Sequence, residues 1–93
     1  MSTIVISTAQ MTALDTAGVF EVDEADGLEQ LRGAIGGNRI HVSREVALII
    51  HELANHADRL GDEVGRHDAS MYRADSRSLT ALALKVSKSA AAL

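Results

Sequence analysis

Six apolar residues in the second half of the chain do most to limit its fold. Val46, Ile50, Leu53, Ala57, Leu60 and Val64 recur at spacings of 4, 3, 4, 3 and 4. That heptad-like stripe is the pattern of one helix lying along another. Ser43 is a good N-cap and Glu45 falls in the positive first turn, so the helix is expected from Arg44 to Gly61 or Gly65. The run Gly61-Asp62-Glu63-Val64-Gly65 then marks a hinge. A second seam follows in Leu79, Leu82, Val86, Ser89 and Leu93, on a last helix expected to start near Asp68 as its cap. Extended backwards, this seam reaches Asp75 and Tyr72. Polar residues at seam positions argue against an uninterrupted coiled coil. Leu48 and Leu84 fall off the two seams, Leu84 beside Arg77 and Lys88. With no proline in the chain to break either segment, two long helices are expected, paired as a hairpin or across two chains.

The first half alternates short elements. Ile4-Val5-Ile6 is a β-branched run expected to form a strand. Ser7-Thr8-Ala9-Gln10 has the capping-box form, with Met11, Leu14 and Ala17 at helical spacing behind it and Gly18 as a stop. Val19-Phe20-Glu21-Val22 reads as a second strand. Asp23 reads as the cap of a helix carrying Leu28, Leu31 and Ile35, ended by Gly36-Gly37-Asn38 and weakened by Gly27 and Gly33. Arg39-Ile40-His41-Val42 reads as a third strand. The expectation is an α+β fold in one domain over 1–93, with a small α/β part (1–42) followed by a two-helix part (43–93). A mostly α chain is the alternative.

A chain of 93 residues buries a modest share of its surface and usually gains stability from a metal, disulfides or a partner. There is no cysteine, which excludes disulfides and cysteine-ligated zinc. Oligomerisation is then the leading source of extra stability. The N-terminal MSTIVISTAQ lacks the pattern of a signal peptide, and VALII is far too short to span a bilayer, so a cytoplasmic protein is expected. The net charge of −4 is unevenly spread. Residues 1–30 hold six acids and no Lys or Arg, whereas residues 66–93 hold five bases against Asp68 and Asp75. The two ends are expected to complement each other. A phosphate-binding role for the basic end is weakened by the narrow footprint and by Phe20 and Tyr72 being the sole aromatics.

Residues 51–56, HELANH, resemble the H-E-x-x-H zinc-peptidase motif over five positions. They depart from it at the second ligand, where Asn55 stands. His51 and His56 are five apart, about 140° around a helix, and do not grip one ion in the usual way. His51 shares the side opposite Leu53 with Asn55, Asp58 and Asp62, which reads as a solvated polar face. His67, Asp68 and Ser70 are neighbours in sequence without the geometry of a triad. His41 reads as structural. The acids from Glu21 to Glu29 lack the alternating ligands and closing glutamate of a calcium loop. No phosphate-binding glycine loop and no internal repeat is present.

In size, in its Ala/Asp/Arg-rich composition and in its lack of cysteine, the whole chain resembles small accessory proteins of GC-rich bacteria and their phages. The resemblance implies a non-enzymatic module that binds a host protein. The helical seams independently permit a small regulator or inhibitor that pairs with itself or with a helical or coiled-coil protein, needing no cofactor. The expected contact residues are Val46, Ile50, Leu53, Leu60, Leu79, Leu82 and Val86, with Leu48 and Leu84 off the seams. A dimeric nucleic-acid-associated regulator, antitoxin-like or repressor-like and using Arg73, Arg77 and Lys88, is the second expectation. A degenerate zinc-peptidase-like protein is the third.

Overall fold

The capping box predicted at Ser7 opens the first helix of the computed structural model, which describes residues 3–20, 28–63 and 66–92, without the side chains of 66–71. The Ser7 hydroxyl accepts from the Gln10 amide at 3.2 Å, and the Gln10 side chain accepts from the Ser7 amide at 3.0 Å. Helix α1 (Thr8–Thr16) follows a three-residue strand, β1 (Thr3–Val5). It ends where Gly18 adopts a φ of +84°, a conformation open to glycine at little cost. The chain then turns. Val19 and Phe20 lie in this turn and form no strand, while Glu21, Val22 and Asp23 fall outside the described residues. Val19 is nonetheless fully buried, and its carbonyl accepts from the Arg32 guanidinium at 3.1 Å. One side chain plugging the core explains the apolar residue there as well as a strand would.

Helix α2 (Glu29–Ala34) is short, and Ile35 leaves it for β2 (Ile35–Gly36), which pairs antiparallel with β3 (Arg39–His41). The expected helix through Ile35 is thus corrected. Gly36-Gly37-Asn38 does not end a helix; Gly37-Asn38 forms a two-residue hairpin turn. Gly37 has φ +59° and Asn38 a negative φ, the signature of a type II′ turn with glycine in its first central position. β1 pairs on the other side of β3, with Ile4 opposite Ile40, so the sheet order is β1-β3-β2. The free edge of β1 is covered by a charge: Lys85 donates through Nζ to the Val5 carbonyl at 3.3 Å.

Ser43 caps α3 (Arg44–Glu63) by accepting from the Val46 amide at 3.1 Å. Gly61, expected at a hinge, is inside this helix and buried. Helix α4 (Arg66–Ala91) begins two residues before the expected cap, so Asp68 sits within its first turn. At about 1.5 Å per residue its 26 residues span about 39 Å, which accounts for the 42 Å long axis of the molecule. The two long helices form a hairpin. α3 presents a flat inner face of small residues, Ala47, Ala54, Ala57 and Gly61, around Val46 and Ile50. α4 supplies the volume through Leu79, Leu82 and Val86, all fully buried. Ser76 bridges the pair by donating to the Ala54 carbonyl at 3.0 Å. Leu14, Leu31 and Ile40 extend the same core under α1 and the sheet. The fold is α+β, a small N-terminal sheet with short helices followed by two longer helices.

Candidate interaction surface and helical cleft

The residues expected to meet a partner divide sharply by burial. Val46, Ile50, Leu79, Leu82 and Val86 lie inside the chain's own core, at most 3% exposed. Leu53 and Leu60 are half-buried at the rim. Leu48 and Leu84 are 63% and 49% exposed. The seams close within one chain, so a partner meeting the folded protein reaches Leu48 and Leu84 directly and the others at most at their edges. Val64 and Leu93 lie outside the described residues.

Leu84 has basic company. Arg77 and Lys88, seven residues before and four after it, fall about 20° and about 40° from it on the helical wheel, and both are exposed. Arg73 shares this outer side but sits 3.8 Å from Asp62 of α3 in an open ion pair, the kind that contributes about 0–1 kcal/mol.

The HELANH residues sit in the middle of α3. His51 is half-buried, and Asn55, His56 and Asp58 are exposed. Among the described residues no three His, Asp or Glu side chains converge as a metal site would require. His41 is exposed on β3. His67, Asp68 and Ser70 are placed on α4 only as backbone. Among the described residues, no helix is long and apolar enough to cross a membrane.

One concavity was not foreseen. Where α1 crosses the α3–α4 hairpin, a shallow cleft opens to solvent. Its walls are Ala13 and Ala17 of α1, Leu53, Ala57 and Leu60 of α3, and Leu79 of α4. Four polar side chains share it: Thr16, His56, Tyr72 and Asp75. Asp75 is half-buried and, among the described residues, has no hydrogen-bond or ion-pair partner. Its burial in this apolar setting raises the carboxyl above its ordinary 3.8. The sequence contained half of this signal, because Tyr72 and Asp75 stand on the backward extension of the α4 seam. The approach of His56 depends on how three helices cross. No family model, no curated protein and no solved structure matches the chain.

Proposed function

We propose that this protein is a non-enzymatic interaction module, a small regulator or inhibitor that docks on a helical partner protein with the outer faces of its two long helices. The observation that carries the reading is the exposure of Leu48 and Leu84, two large apolar side chains turned away from filled seams. Interfaces draw their energy from a few such anchors ringed by polar groups, and Arg77 and Lys88 supply that ring for Leu84. Photo-crosslinking tests it, with the reactive group placed at 48, at 84 and, as control, at exposed Thr12 in cells that make the protein. The expected result is one discrete adduct from 48 or 84, absent from 12 and lost in Leu48→Glu/Leu84→Glu. Equal labelling from all three positions would refute the reading. If the adduct weighs twice the chain, the partner is a second copy.

The exposed Arg77 and Lys88 also support the second reading, a nucleic-acid-associated regulator. Binding to duplex DNA that weakens steeply with salt favours it, and no mobility shift at low salt removes it.

A further inference from the structure

Asp75 is a carboxylate set in an apolar wall, and among the described residues it has no counter-charge. The charged groups able to face it are few. α1 contributes only Ala13, Thr16 and Ala17 to the cleft, α3 contributes His56, and α4 contributes Tyr72. Tyr72 and Asp75 are three residues apart on one helix, so ring and carboxylate are neighbours on the same face. A flat aromatic ring beside a carboxylate matches a planar cation that forks onto the carboxylate and stacks on the ring. An ammonium satisfies only the first of these, as a point charge. The aliphatic walls around Leu53, Leu60 and Leu79 suit the methylene stem that carries such a cation.

On these grounds we propose that the cleft between α1, α3 and α4 is a receptor for an arginine side chain of the partner protein, held by Asp75 and Tyr72. The proposal deepens the protein-binding reading above and rests on it.

The test uses no partner, so its failure leaves that reading standing. N-acetylarginine methylamide is titrated into the full chain at pH 7.5 and low salt, while the methyl NMR signals of Ala13, Leu53, Ala57 and Leu79 are followed. The expected result is saturable shifts at these methyls and none at Leu48 or Leu84, with a dissociation constant on the order of 1 mM, as befits one small ligand. Asp75→Asn should weaken binding by about 10-fold, the loss of one charge-assisted bond. Tyr72→Leu should weaken it by about 3-fold, the loss of one exposed cation–ring contact. Thermal melts confirm that both variants stay folded. The norleucine analogue should bind at least 10-fold more weakly than the arginine probe. Equal binding of the norleucine analogue, an unchanged constant in Asp75→Asn, or no shift at 50 mM probe overturns the proposal. Free agmatine binding more than 10-fold tighter than the arginine probe also overturns it, because the occupant is then a small molecule.

Discussion

Replacing Leu82 by alanine tests the closure of the hairpin within one chain, and Leu84→Ala, two residues along the same helix, is its control. Leu82 is 0% exposed. The substitution removes three carbons, about 2.4 kcal/mol at about 0.8 kcal/mol per buried methylene. It also leaves a cavity against the flat alanine face of α3, which adds roughly 1 kcal/mol. The expected loss is about 3–4 kcal/mol, from a total on the order of 5–14 kcal/mol for a chain of this length. Leu84 is 49% exposed and leaves no internal void, so its loss should stay below about 1 kcal/mol. Urea unfolding followed by far-ultraviolet circular dichroism reads both, and the slope should be unchanged while the midpoint falls for Leu82→Ala alone. The experiment is repeated over a hundred-fold range of protein concentration. Equal losses for the two variants would refute the assignment of faces. A wild-type midpoint that falls on dilution would place the seam between two chains.

Four further substitutions have expected outcomes. Ser7→Ala removes the capping-box hydroxyl bonded to the Gln10 amide and should cost about 0.5–2 kcal/mol by the same unfolding assay. Gly37→Ala should cost about 1–2 kcal/mol: a side chain there meets nothing within 4 Å, but the φ of +59° is left-handed. Gly36→Ala, also in open space and without that backbone requirement, should be near neutral. For Asp75 the folded-state value is raised, so its contribution is fully favourable below the unfolded 3.8 and is lost as pH rises through the folded value. Asp75→Asn should therefore melt higher than wild type at pH 7, by less than the 4–8 °C that about 1 kcal/mol gives a domain of this size. The difference should vanish below pH 3.8, with His56 and Tyr72 the only other titratable side chains lining the cleft among the described residues.

Much of the architecture could be read from local chemistry. The capping box at Ser7, the Gly18 stop and the Ser43 cap are codes written in two to four adjacent residues, and each recurs in the structure at its predicted place. The burial of Leu79, Leu82 and Val86 and the exposure of Leu48 and Leu84 follow from helical periodicity alone. The misreadings arose where an apolar run was short. Val19 and Phe20 look like a strand because a single core plug has the same composition. Ile35 stands four residues after Leu31, a spacing that a helix explains as well as a strand does. The Gly37-Asn38 pair between Ile35 and Ile40 was the better guide, because glycine first in a two-residue loop signals a type II′ hairpin. The cleft was the least legible feature. It joins residues from three helices, and no local pattern states how helices cross.

The lysine that covers the edge of β1 also bears on the order of folding. Val5 and Lys85 are 80 positions apart in the chain, and β1 meets β3 across more than thirty residues. The α3–α4 hairpin, by contrast, joins elements that follow each other directly in sequence. Closing the short loop first costs the least chain entropy, so the hairpin is the natural nucleus and β1 is added to a surface that already exists. Kinetically, Ile4→Val should then speed unfolding and leave the folding rate nearly unchanged, whereas Leu82→Ala should slow folding itself. On that order the N-terminal strand, early in the sequence, is expected late in the structure's assembly.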